Sequence, residues 1–148
     1  MSEEGYERRS CVRFKIPGAT VDYQRKTLLP LPGFIEEFCP LLDISRGGIR
    51  FLAQKPLKAE SEVSVKISIP GERIPFTMKG IVKWSSSTEA KSYNYQIGVK
   101  FYPYGDKKEE NLPQNMVKIM ALEQKYAGQV EPGGEGGNPA PEKDEFEI

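Results

Sequence analysis

The sequence predicts an all-β domain, a small antiparallel barrel or sandwich, followed by one helix and an acidic tail. Runs that alternate apolar and polar residues recur through the middle of the chain, separated by turn-forming residues and with no helical segment between them. After Tyr104 the apolar spacing lengthens from two to between three and four. Exposed sheet edges invite edge-to-edge pairing, so closure into a barrel is the favoured form.

Each element follows from its own residues. "ATVDYQ" sends Val21 and Tyr23 to one side of a short strand, and "GGIRFLA" does the same with Ile49 and Phe51. "SEVSVKISIP" alternates Val63, Val65, Ile67 and Ile69 with polar residues, as a half-buried strand must. "FTMKGIVKWSS" puts Phe76, Met78, Val82 and Trp84 on one face and Thr77, Lys79 and Lys83 on the other, so Trp84 reads as core. Gly80 interrupts that buried row and marks a bend or close packing. "YQIGVKFYP" closes the series with Tyr95, Ile97, Val99 and Phe101. Turn signals lie at Pro32-Gly33, Pro70-Gly71 and Ser85-Ser86-Ser87. Residues 25–40 are the least readable; Pro30, Pro32 and Pro40 suggest a loop with one short turn at "FIEEF".

"NLPQNMVKIMALEQKYAG" reads as a helix with Met116, Ile119, Met120 and Tyr126 along one side. Asn111 fits an N-cap, Pro113 the first turn and Gly128 a stop. Residues 129–148 are rich in Gly, Pro and acids and read as a disordered tail. The expected division is a flexible arm over 1–18, a barrel over 19–105, a helix over 106–128 and the tail over 129–148.

Composition narrows function. Basic and acidic residues balance at 21 each, but the tail holds six acids against Lys143 alone. The rest of the chain carries 20 basic and 15 acidic residues, a net +5. There is no histidine, which removes Ser-His-Asp and Cys-His nucleophiles and histidine metal ligands. No phosphate-binding glycine loop of the P-loop or dinucleotide type occurs. Two cysteines, Cys11 and Cys39, make neither a disulfide framework nor a zinc site. No apolar signal segment or membrane span is readable. A non-enzymatic protein of the reducing cytoplasm, with no metal and no membrane insertion, is the expectation.

Two clusters carry chemistry. "ERRSCVRFK" holds Arg8, Arg9 and Arg13, three guanidiniums in six residues. A guanidinium grips phosphate bidentately, docks on the O6 and N7 edge of guanine, or stacks on a base. The bland alternative is a solubilising basic patch. "LLDISRGGIRF" holds Asp43, whose carboxylate accepts two donors at once, as guanine N1–H and its 2-amino group would supply. Ser45 adds a hydroxyl, and Gly47-Gly48 permit close backbone approach or positive φ. The alternative is a turn in which Asp43 or Ser45 bonds its own backbone.

Arg9-x-x-x-Arg13, one strand, then Asp43-x-Ser45-x-x-Gly48 in a β-rich chain resembles the PilZ domain, the bacterial receptor module for cyclic di-GMP. The closing strands and the helix are similar too, and the resemblance spans residues 7–128. It implies a six-stranded split barrel with a C-terminal helix. It implies that Arg9 and Arg13 clamp phosphates and guanine edges, while Asp43, Ser45 and Gly48 line the opposite side, with Gly47 as a candidate contact on its own residue type. Arg8 would stack on a second base and accompany binding of a ligand pair, and Arg46 is either a ligand contact or a solvated side chain. The ligand would be cyclic di-GMP, with no other cofactor.

The arm before Ala19 has little apolar content, so ligand is expected to order it and carry the signal. Output would pass through an unidentified protein partner or self-association, as a monomer or a ligand-modulated dimer, without DNA. The rivals are a barrel binding single-stranded nucleic acid, which needs exposed aromatics in a basic groove, and a ligand-independent adaptor of the same family.

Overall fold

The computed structural model describes residues 12–27, 33–89 and 92–134. Six strands form a closed barrel: β1 (Thr20–Arg25), β2 (Glu36–Ser45), β3 (Gly48–Ala53), β4 (Glu62–Ser68), β5 (Phe76–Ser87) and β6 (Tyr95–Phe101). Their order around the barrel is β1-β2-β3-β6-β5-β4, and β4 returns to β1. Every pairing is antiparallel. One helix follows, α1 (Pro113–Gly134). The all-β barrel with a C-terminal helix is what the alternation implied. Among the described residues, no helix is long and apolar enough to cross a membrane.

The interior is filled by the alternating sets. Val63, Val65 and Ile67 are 3%, 0% and 0% exposed, and Val21, Tyr23, Ile49, Phe51, Met78, Val82, Ile97 and Val99 are all sealed from solvent. Each such side chain contributes about 1.5–3 kcal/mol of burial. Gly80 serves close packing, since a Cβ there would overlap the Lys100 carbonyl oxygen and the Val99 side chain.

Several expectations are corrected. The segment read as a loop over 25–40 contains the first half of β2, which starts at Glu36. Pro40 sits within that strand opposite Thr20, and the next residue, Leu41, supplies the N–H to Ala19 O. Two irregularities in β2 broke the alternation that would have revealed it. Within the stretch read as a flexible arm over 1–18, Phe14 and Ile16 are 4% and 2% exposed and belong to the core. Residues 1–11, which hold the rest of that arm, lie outside the described residues.

In α1 the buried side runs Asn115, Ile119, Leu122 and half-buried Tyr126, while Met120 faces out and Met116 is partly covered. Asn115 takes an inner position because its amide donates to Thr77 O at 3.2 Å. Asn111 is not a helix cap. Its side chain accepts from Lys79 N–H and donates to the Lys79 and Tyr102 carbonyls, tying the approach to the helix onto the barrel. The helix passes Gly128, the expected stop, and reaches Gly134, within the stretch read as tail; residues 135–148 lie outside the described residues.

Two bulges decide what faces outward. Along β2, Leu41 pairs with Phe51 but Asp43 pairs with Arg50, so Leu42 is an extra residue. Along β5, Val82 pairs with Val99 but Trp84 pairs with Gly98, so Lys83 is extra. An extra residue inverts the in-out alternation beyond it. Asp43 and Trp84 therefore lie on the outer face, though each stands two residues after an inward side chain.

Candidate functional site

The N-terminal arm is fastened beside the site by backbone. Phe14 N–H donates to Ile44 O and Ile44 N–H donates to Phe14 O, both at 3.0 Å. With Phe14 and Ile16 buried, this bridge sets Arg13 against the outer face of β2. Arg13 Nη2 donates to Asp43 Oδ1 at 2.8 Å.

Asp43 takes a second guanidinium on its other oxygen. Arg50 Nε and Nη2 both donate to Oδ2, at 3.0 and 2.6 Å, and Arg50 Nη1 donates to Gln96 Oε1 at 2.9 Å. The three side chains are largely covered, with 6% of Asp43, 16% of Arg13 and 13% of Arg50 exposed. One carboxylate between two cations leaves this patch net positive.

The strand register extends the patch into a row. Asp43 faces Arg50, Arg50 faces Gly98, and Gly98 faces Trp84, across β2, β3, β6 and β5. A Cβ on Gly98 would overlap the Trp84 indole, so the ring lies directly over that glycine. Trp84 is half-buried rather than core, which corrects the in-register reading; Phe101 is buried and Tyr95 packs against the core as expected. Exposed Lys100, the partner of Gly48, stands one row further along the same face. A carboxylate for paired N–H donors, cations for phosphate and an aromatic plane for a base are together here.

The remaining residues singled out in the sequence take different places. Ser45 is 2% exposed and its Oγ accepts the Gly47 N–H at 3.0 Å, so the local turn reading holds for it. The turn itself is Arg46-Gly47 between paired Ser45 and Gly48. Positive φ among glycines occurs at Gly18, Gly33 and Gly71, so Gly47 and Gly48 are not required for left-handed backbone. Arg46 turns away from Asp43: its Nε lies 3.7 Å from Glu123 Oε1 on α1, and its carbonyl accepts the Tyr104 hydroxyl at 2.7 Å. Arg8 and Arg9 lie outside the described residues.

Arg50, Gln96 and outward-facing Trp84 were not foreseen. Arg50 was within reach of the sequence. A two-residue turn pairing Ser45 with Gly48 also pairs Ile44 with Ile49 and Asp43 with Arg50. Gln96 and Trp84 depend on the register of distant strands and on the Lys83 bulge, for which the sequence carries no local signal.

Comparison with known proteins agrees on the architecture. The model of the PilZ domain family matches residues 7–118. Among solved structures, the chain is similar to the Bacillus subtilis inhibitor of motility, MotI/DgrA, with a TM-score of 0.59 and 16% identity. That similarity covers 84% of this chain and 53% of the other, so the chain spans about half the length of that neighbour. No curated protein matches.

Proposed function

This chain belongs to the PilZ family, the family of cyclic di-GMP receptor domains, and on that premise we propose that it binds cyclic di-GMP on the outer face of β2, β3, β6 and β5. The observation that carries the reading is Asp43: a buried carboxylate held only by side-chain guanidiniums among its described bonds, where Arg13 of one motif meets Asp43 of the other. In this reading Asp43 accepts a guanine edge, and Arg9 and Arg13 take phosphates and guanine acceptors. Ser45 and Gly48 line the turn side, Arg8 stacks on a base of a second ligand molecule, and Trp84 lies against the bound dinucleotide. The protein is a cytoplasmic receptor without catalytic chemistry. Ligand binding at the N-terminal arm alters contact with a protein partner or a second copy.

The rival reading, single-stranded nucleic acid, gains Trp84 as a half-buried, outward-facing aromatic. It needs a series of stacking planes along a groove, and the outer row offers one indole beside a charge cluster. Calorimetric titration with cyclic di-GMP, GTP and a short oligonucleotide separates the two. Saturable binding of cyclic di-GMP, weakened by on the order of 10- to 100-fold in Arg9→Ala through loss of a charge-assisted contact, supports the proposal. Heat with the oligonucleotide and none with cyclic di-GMP would overturn it. The same curve gives a stoichiometry of two if Arg8 holds a ligand pair.

A further inference from the structure

Arg50 lies outside both motifs, yet it makes three of the described side-chain hydrogen bonds in the patch. It grips Asp43 Oδ2 through two nitrogens and reaches Gln96 with a third. A planar fork on one oxygen fixes the plane of a carboxylate, which a point charge cannot do. Arg50 is itself held by position: β3 pairs it with Asp43 on one side and Gly98 on the other. Gly98 has no side chain to compete for the space, and the Trp84 ring covers its far side. Arg13, by contrast, sits on Oδ1 and enters from the arm rather than from the barrel.

The two oxygens of Asp43 therefore have different tasks. Oδ2 is bound to a residue in the middle of the barrel wall, and Oδ1 to a residue on the N-terminal segment, which the Phe14–Ile44 bridge holds beside the wall. A carboxylate has roughly four acceptor directions, and the Arg50 fork spends two of them on Oδ2. A guanine edge bringing N1–H and a 2-amino N–H must then use Oδ1, where Arg13 stands. We infer that Arg50 is a positioning and specificity-determining residue, which locks Asp43 so that guanine exchanges with Arg13 at Oδ1 and is read by its 2-amino group. This inference rests on the cyclic di-GMP reading of the site. The displaced Arg13 guanidinium keeps its charge and turns to the ligand phosphate, so no cation is lost from the complex.

The test compares cyclic di-GMP with its cyclic di-inosine analogue, which lacks only the 2-amino groups. The wild-type protein should prefer the guanine ligand by on the order of 10-fold or more, as expected when a donor to a charged acceptor is deleted. Arg50→Leu should lose most of that preference as well as about 10-fold in affinity for cyclic di-GMP. Arg50→Lys, which retains the charge without the fork, should recover affinity but not preference. In an Asp43→Ala background, Arg50→Leu should change nothing further, because its action runs through that carboxylate. If Arg50→Leu weakens both ligands equally and the preference survives, or if its effect persists without Asp43, the positioning role is wrong. If the wild-type protein binds neither ligand, the receptor reading fails first and takes this role with it. Circular dichroism and a urea melt of each variant separate loss of fold from loss of binding.

Discussion

The two ends of β2 each carry a bulge and a carboxylate, and the carboxylates find their partners in opposite ways. At the start of the strand, Glu36 accepts the Tyr23 hydroxyl at 2.6 Å and the backbone N–H groups of Gln54 and Lys55 at 2.8 and 3.1 Å. Beside it, Asp22 accepts the N–H of Phe38 at 2.8 Å, holding that residue at a φ of 58°. Backbone donors cannot leave without undoing the fold. At the other end, Asp43 is met by two side chains: Arg50, held in the barrel wall, on Oδ2, and Arg13, whose guanidinium can swing away on its flexible stem, on Oδ1. A carboxylate bonded to backbone is part of the scaffold, while one bonded on one oxygen to a movable side-chain cation has a partner that a ligand can replace.

The largest effects should come from exchanging those assignments. Asp43→Ala should lower cyclic di-GMP affinity on the order of 100-fold, and it should also cost stability, because it leaves the largely covered Arg13 and Arg50 guanidiniums side by side without their carboxylate. Glu36→Ala should affect stability alone. Three donors lose their acceptor, so stability should fall by about 2–3 kcal/mol with the dissociation constant unchanged. Calorimetry and urea melts on the two variants make the crossed comparison. If Glu36→Ala impairs binding as much as Asp43→Ala, the division between scaffold and site is wrong.

A smaller effect tests how far the site end extends. Gly98→Ala would push the indole of Trp84 off the row, at about 1–3 kcal/mol of overpacking. Because Trp84 is the chain's single tryptophan, its emission should shift in the variant, and cyclic di-GMP should quench it less than in the parent. Unchanged quenching would place the ligand away from β5.

The smallest effect belongs to the scaffold end. Burial first, then the charges of Glu36 and Asp22, push the Cys39 thiol from its ordinary 9.0 up to about 12. Burial and the hydrogen bond to Glu36 also raise the Tyr23 phenol. Both groups stay neutral in the fold where the unfolded chain ionises, so the unfolded state binds fewer protons at alkaline pH. Their contribution is complete below pH 9 and is lost as pH rises toward 12. Thermal melts across that window should fall less steeply in Cys39→Ala, and in a Cys11→Ser background the folded protein should resist alkylation at pH 8. A flat wild-type profile would show that this end is not sealed.

The legible parts of the molecule were those with unbroken periods. Val63, Val65 and Ile67 announced β4 because nothing interrupts their alternation. The motif residues Arg13 and Asp43 were found by spacing, and they do meet. What stayed hidden lies at places where one residue is added to a ladder. Leu42 and Lys83 shift the register, so reading by twos sent Trp84 inward and left β2 unrecognised. On α1 the reading found Ile119 and Tyr126 on the buried side, but it also counted Met120, which faces out, and missed Asn115, whose polar side chain is satisfied by Thr77 O. Arg50 needed only the hairpin to be counted back from its turn.

Closure of the barrel has a further consequence for how any signal leaves it. With β4 bonded to β1, each of the six strands has a neighbour on both sides. Among the described strands a partner protein therefore finds no free sheet edge on which to add a strand. On the barrel wall recognition falls to side chains, so each substitution on the outer face alters the vocabulary available to a partner while the wall behind it stays the same.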